Sequence, residues 1–293
     1  MSDAQAESAL AYLRRAGRGD RAKKSLGQNY LIDDAVLERV AEAALPAAGG
    51  PVLEIGPGLG ALTRVLLRRL DAAGESDRLW AAELDGDKIA VLRREFAGRS
   101  LRLLHADART VRLADLWGGA KGAVCGNLPY YIANPLLMHF LRQRESLGLI
   151  TVMVQKEVAE RLTAVPGGKA YGVLSVAALL YAETEFLFLV PPEAFHPAPK
   201  VTSAVVRLKP RPFPGLLLPE EELLAVARAA FSQRRKTILN SLGVSWPKNR
   251  ESLRSLLAEA GIPPDTRAER LKAEDFQRLA LALRNTQTTS AIL

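Results

Sequence analysis

Asn127-Leu128-Pro129-Tyr130 joins an amide, a proline-flanked carbonyl and an aromatic ring at the end of a short apolar run. That set suits the presentation of an aromatic amine to an electrophilic carbon. Such an amine is a poor nucleophile, because its lone pair is delocalised into the ring. The Asn127 side-chain carbonyl and a backbone carbonyl fixed by Pro129 can accept both N–H bonds and aim the nitrogen at the methyl of a sulfonium, while Tyr130 stacks on the base. No strong base is required, since the nitrogen becomes acidic only once alkylated, so positioning for in-line attack carries the rate. Carbon methylation of a pyrimidine would need a cysteine nucleophile. The one cysteine, Cys125, lies two residues upstream inside the apolar run and reads as core.

A methyl donor needs its own cradle. Glu54-Ile55-Gly56-Pro57-Gly58-Leu59-Gly60 follows one apolar run and precedes an amphipathic one. Glycines there let backbone approach a ligand closely. The G-x-G-x-G spacing is not that of dinucleotide folds, and Pro57 removes a donor that a pyrophosphate would want, so a ligand without phosphates is favoured. An ordinary tight turn from strand to helix would look the same. Glu83, in Glu83-Leu84-Asp85, can accept from both hydroxyls of a ribose, and Asp107 can accept from an adenine amine. Either alone reads equally as a solvated strand end. In order on successive strand tips, they line the crevice where open α/β sheets bind ligands.

The elements that must position these residues follow from alternation. Strands are predicted at Val52–Ile55, Leu79–Ala82, Leu101–Leu104, Ala123–Cys125 and Leu149–Val154, with helices at Ala35–Ala44, Ala61–Leu70 and Lys88–Phe96. This pattern predicts an α/β fold with a parallel sheet. Glu185–Val190 and Val201–Leu208 have no helix between them and fit an antiparallel pair at the sheet edge. The Pro-rich segment 209–215 ends that domain, placing a catalytic domain at 25–212. A helical domain over 213–285 follows, with helices at Glu220–Phe231, Arg234–Leu242, Glu251–Ala260 and Ala273–Ala282, then a frayed tail at 286–293. Residues 1–24 read as a flexible basic arm, since residues 14–24 hold six basic side chains, with Gly17 and Gly19 loosening the chain.

Lys+Arg number 40 against 32 Asp+Glu, a net charge of +8 that favours a polyanionic partner. The N-terminus lacks the apolar core of a secretory signal, and no apolar run is long enough to span a bilayer. A cytoplasmic protein is expected, with no membrane partner. His105, His139 and His196 lack ligand spacing, so no metal site is expected.

Ser25–Leu31, Glu54–Gly60, Glu83-Leu84-Asp85, Asp107, Asn127–Tyr130, Gln155-Lys156-Glu157 and Phe195–Val201 occur in one order. Together they resemble the small-subunit ribosomal RNA adenine-N6,N6-dimethyltransferase family over roughly residues 20 to 280, with Arg234-Arg235-Lys236-Thr237 extending the likeness towards the C-terminus. The resemblance implies a Rossmann-like class I methyltransferase sheet with a smaller C-terminal all-helical domain, and S-adenosylmethionine as cofactor. It implies that Asn29, Leu31, Gly56, Gly58, Glu83 and Asp107 hold the donor, that Asn127 meets both donor and target amine, and that Leu128, Pro129, Tyr130 and Phe195 complete the catalytic site. Tyr130 and Phe195 would stack on the target base. Its reaction is dimethylation of two adjacent flipped-out adenines near the 3′ end of small-subunit rRNA, by a monomer acting within a pre-ribosomal particle.

Arg21, Lys23, Lys24, Lys200, Arg234, Arg235 and Lys236 are the expected RNA contacts, although each cluster also reads as solvated surface charge. Phe195, between Pro191-Pro192 and Pro197, is a base platform or a core plug. Ala133-Asn134 replaces the hydroxyl-bearing pair often found there, which leaves helix capping to Asn134. The competing readings are a large-subunit adenine methyltransferase conferring antibiotic resistance and a non-catalytic ribosome-assembly factor.

Overall fold

Ser8 opens the first helix, α1 (Ala9–Ala16), by accepting from the Ala11 amide through its hydroxyl. In this computed structural model the described residues are 7–17, 29–47, 49–211, 218–246 and 249–292, with side chains to 285. Ala9, Tyr12, Leu13 and Ala16 recur at helical spacing, and all four are buried in the hydrophobic core. The Asp34 carboxylate accepts from the Ala9 amide at 3.0 Å, the Tyr12 hydroxyl donates to the Leu59 carbonyl at 2.8 Å, and Arg15 pairs with Glu95 at 2.6 Å. The loose arm expected over 1–24 is therefore corrected for this stretch. Charge and glycine suggested looseness, but an apolar stripe buried against the rest of the unit decides. Arg21, Lys23 and Lys24 lie outside the described residues.

The chain continues through β1 (Tyr30–Leu31), α2 (Asp34–Ala44), β2 (Val52–Ile55), α3 (Ala61–Ala72), β3 (Leu79–Glu83), α4 (Gly86–Glu95) and β4 (Arg102–His105). Next come α5 (Leu113–Trp117), β5 (Gly122–Asn127), α6 (Ala133–Leu141), β6 (Leu147–Gln155), α7 (Lys156–Leu162) and α8 (Val173–Tyr181). Strands β7 (Ala182–Val190), β8 (Phe195–His196) and β9 (Ser203–Pro210) follow. Asp33 caps α2, its side chain accepting from the Val36 amide at 3.0 Å. The cap position of α6 is Ile132, without a side-chain bond, so Asn134 does not serve as cap.

Seven strands form one sheet in the order β4-β3-β2-β5-β6-β9-β7. The pairs β3–β4, β2–β3, β2–β5 and β5–β6 are parallel, while β9 runs antiparallel to β6. The two late strands do sit together at one edge, as expected. Chain order reverses between β2 and β5, which leaves a crevice at their carboxyl ends. All four residues of β2 are buried, consistent with a central strand covered on both faces.

The chain divides into two compact units: residues 1–159 with 184–210, and 160–183 with 211–293. The later crossing falls at 210/211, against the division expected at 212/213, and residues 160–183, expected in the catalytic domain, group with the second unit. Aromatic packing explains it. Tyr171 meets Phe231 edge-on at 5.9 Å, Phe231 stacks on Phe276 at 5.7 Å, and the Tyr171 hydroxyl donates to the Leu271 carbonyl at 2.9 Å.

The other helices described in the second unit are α9 (Glu220–Ala230), α10 (Ile238–Ser245), α11 (Arg250–Glu259) and α12 (Ala273–Ile292). Thr237 caps α10, so Arg234, Arg235 and Lys236 occupy a turn and not the helix predicted for them. Helix α12 runs to Ile292 where a frayed tail was expected. Ser and Thr lower helix propensity, but neither breaks a helix as Gly or Pro would.

Candidate active site

The carboxyl ends of β2, β3, β4 and β5 enclose a cavity of about 450 Å³, the size of a small-molecule site. Asn29, Leu31, Gly56, Gly58, Glu83, Asp107, Asn127, Leu128, Pro129 and Tyr130 all line it. Ten positions named from the sequence therefore converge on one cavity.

Glu83, at the tip of β3, is buried, and its two oxygens accept from the backbone amides of Gly58 (3.0 Å) and Asp85 (2.9 Å). One carboxylate thus pins the glycine loop and its own strand end, with lone pairs left on both oxygens. Gly56 has φ +61°, a Cβ built on it would project into open space, and it faces the cavity. Bare backbone is offered there to a ligand. Behind the loop, Tyr12 holds the Leu59 carbonyl. The Asp107 carboxylate caps the turn at 108–110 and accepts from Arg109 Nε at 3.0 Å and Nη2 at 2.5 Å. Those bonds, and one from the Arg109 amide, hold its carboxyl below the usual carboxylate range, so it stays an acceptor.

Asn127 ends β5, and its Nδ2 donates to the Asn29 carbonyl at 3.1 Å, which turns Oδ1 the other way. The strand can bring Asn127 here only because Gly126 precedes it. A Cβ at Gly126 would lie 2.4 Å from the Ile55 carbonyl oxygen of β2. The Leu128 amide donates to the Met153 carbonyl at 3.1 Å, and the Tyr130 hydroxyl lies 2.8 Å from Ser203 Oγ. Burial raises the Tyr130 phenol pKa, so its ring meets the cavity neutral. Cys125 is fully buried, and burial pushes its thiol pKa well up, which leaves it an inert core residue.

Phe195 departs from expectation. Its ring is 2% exposed within the hydrophobic core, and it does not line the cavity. Strand β8 instead pairs with β1, Leu31 opposite Phe195, and the Ile32 amide donates to the Ala194 carbonyl at 2.8 Å. The core reading of this residue prevails over the base platform, because β1 supplies an apolar wall for the ring. Phe195 then acts on the site at one remove, by seating the segment that carries Asn29. Lys200, Arg234, Arg235 and Lys236 are exposed, and none of them is among the residues lining the cavity.

Two cavity residues carried no sequence-derived role. Glu54 is buried inside β2, where it accepts from Thr63 Oγ1 at 2.6 Å. Burial pushes its pKa up to about 8, with the Thr63 bond opposing and the Glu83 carboxylate adding to the rise. The signal was available, for a carboxylate within Val52-Leu53-Glu54-Ile55 is out of place unless it has work to do. Tyr131 borders the cavity and is exposed. Among the described residues no group of three or more His, Cys, Asp or Glu is placed to hold a metal ion, and no helix is long and apolar enough to cross a membrane.

Residues 19–285 match the family described as ribosomal RNA adenine dimethylase. A protein of Desulfitobacterium hafniense called ribosomal RNA small subunit methyltransferase A is 51% identical over 280 residues, covering 94% of this chain and 98% of its own. Among solved structures, the 23S rRNA methyltransferase ErmE is similar at a TM-score of 0.63 with 28% identity, over 87% of this chain and all of its own. A dimethyladenosine transferase from Plasmodium falciparum shares the fold at a TM-score of 0.70 and 24% identity, over 88% and 98% of the two chains. Glycine loop, ordered acids and catalytic loop agree with that match, and the chain belongs to the ribosomal RNA adenine dimethylase family of S-adenosylmethionine-dependent methyltransferases.

Proposed function

We propose that this chain dimethylates the N6 amines of two adjacent adenines near the 3′ end of small-subunit rRNA, acting as a cytoplasmic monomer on a pre-ribosomal particle. The single observation that carries the reading is Asn127, held by the Asn29 carbonyl at the rim of a cavity walled by Gly56, Glu83 and Asp107. S-adenosylmethionine, when bound, supplies a methyl group on a positively charged sulfur. The cavity fits it: bare backbone at Gly56, a carboxylate at Glu83 for ribose hydroxyls, and an acceptor at Asp107 for an adenine amine. Glu54, whose burial favours the protonated form, lines the same cavity.

A target adenine must leave its stack to reach this rim. Asn127 Oδ1 and the Leu128 carbonyl then accept the two N6–H bonds, and Tyr130 covers the base. Held this way, the N6 lone pair would face the methyl group that bound S-adenosylmethionine would supply, with the donor's sulfur as leaving group, and the alkylated nitrogen would release its proton to solvent. Repetition at the same nitrogen gives the dimethyl product. Phosphates elsewhere on the RNA are held by Lys200 and by the turn Arg234–Lys236, and the second unit selects which RNA is modified. Primer-extension mapping of small and large subunits from a deletion strain, with and without the gene restored, tests this. Gene-dependent dimethylation confined to adjacent small-subunit adenines is expected. A gene-dependent change in large-subunit rRNA alone would overturn the choice of substrate.

A further inference from the structure

Tyr131 follows Tyr130 directly, yet the two rings have opposite surroundings. Tyr130 is half-buried with its hydroxyl bonded to Ser203, whereas Tyr131 is 61% exposed at the border of the cavity. Its backbone is not loose. The Ile132 amide donates to the Pro129 carbonyl at 3.1 Å, and α6 begins two residues on, so the turn that carries the ring is fixed. A large ring held in water contributes little to folding, and here it stands at the border of the cavity with most of its surface open to a bound partner.

The same cavity edge carries a cation. Arg109 is bonded to Asp107, which lines the same cavity that Tyr131 borders, and its side chain is more than half exposed. Its Nε and Nη2 are engaged by Asp107, which fixes the plane of the guanidinium. Nη1 has no partner among the described residues, and it retains the paired N–H donors that suit a phosphate. An exposed aromatic ring on a fixed turn and an orientated cation bonded to the same cavity's wall supply the two parts of a nucleotide site. Stacking is indifferent to base identity, and the phosphate contact is indifferent to sequence.

We propose that Tyr131 and Arg109 form a second nucleotide-binding step at the rim, where the ring stacks on the base flanking the target adenine and Arg109 holds its phosphate. The inference rests on the functional reading above and deepens it. With two neighbouring targets, whichever adenine is not in the cavity occupies the step, so Tyr131 is a positioning residue for both. Its contribution belongs to RNA engagement and not to donor binding or to the chemical step.

The test uses full-length protein, under-methylated small ribosomal subunits and S-adenosylmethionine, with kcat and KM for the subunit, donor Kd by calorimetry and thermal melting measured together. Tyr131→Ala should raise KM roughly 5- to 100-fold, as expected for loss of one base stack, with kcat and donor Kd within about twofold and melting unchanged because the ring is exposed. Tyr131→Phe and Tyr131→Trp should restore KM, whereas Tyr131→Leu should not. The proposal is overturned if Tyr131→Ala leaves KM within about twofold, if Leu restores it as well as Phe does, or if donor affinity falls in parallel. Failure of the wild-type chain to methylate these subunits would overturn the functional reading and this one together. Transfer by wild type with an unchanged Ala variant would overturn this one alone.

Discussion

The strand tips around the cavity and the turn at Arg234–Lys236 solve opposite problems. At the tips, nearly every polar side chain is spoken for by the protein itself: Glu83 by two backbone amides, Asp107 by Arg109, Asn127 by Asn29, Glu54 by Thr63. In the turn the side chains reach outwards, and the firmest bond is from Arg234 Nη2 to the Lys169 carbonyl at 2.7 Å. A donor that must be held to a fraction of an ångström for in-line transfer needs groups whose positions are settled before it arrives. A long polyanion needs only charge at the right distance. Substitutions should therefore act steeply and specifically at the tips, and shallowly and additively in the turn.

The largest effect is expected at Glu54. Its folded pKa of about 8 exceeds the value near 4.3 of an unfolded glutamate. The folded chain thus keeps a proton that the unfolded chain releases across this window, so stability falls as pH rises from about 4.3 to 8 and levels off above. At about 1.4 kcal/mol per unit, the change is on the order of several kcal/mol. Glu54→Gln should flatten the dependence of Tm on pH over that range, and an identical slope in both proteins would deny Glu54 the burial described.

Phe195→Ala should cost about 3–5 kcal/mol in denaturant unfolding, with Phe195→Leu recovering most of the loss in both stability and transfer. Normal unfolding together with lost transfer would mean that the ring leaves the core to meet a base. Glu83→Ala should weaken donor binding on the order of 100-fold, about 3 kcal/mol, by freeing the glycine loop and removing the acceptor proposed for the ribose. Calorimetry is the check, and RNA affinity should change far less. The smallest effect belongs to the turn. Arg235→Ala with Lys236→Ala should reduce the slope of log affinity against log salt by roughly 0.7–0.9 for each phosphate no longer neutralised. Arg234 is left intact there because it also holds Lys169. A slope unchanged in the double variant would make these two residues ordinary surface charge.

The same contrast governs what could be read in the sequence. Period and composition reveal residues whose partners are near in the chain, which is why the five parallel strands, the glycine loop and the acids at successive tips were legible. The place of Asn127 at the cavity was legible because it closes an apolar run and its neighbours narrow the choice. Phe195 was not, since a ring between prolines looks alike whether it faces a base or β1, and only the pairing of Leu31 with Phe195 distinguishes them. The helix α1 was hidden by its arginines, although its apolar spacing was present. Assignment of 160–183 to the second unit depends on Tyr171 meeting Phe231 some sixty residues later, which no local pattern encodes.

The central claim is that Asn127 aims the target amine. Single-turnover methylation of under-methylated small subunits by Asn127→Ala, with donor affinity and melting temperature followed alongside, tests it most directly. The account predicts a rate lowered by more than about 100-fold, as for loss of a transition-state hydrogen-bonding group, in a protein that still folds and still binds RNA. A rate within about tenfold of wild type, a difference of only about 1.4 kcal/mol, would contradict it.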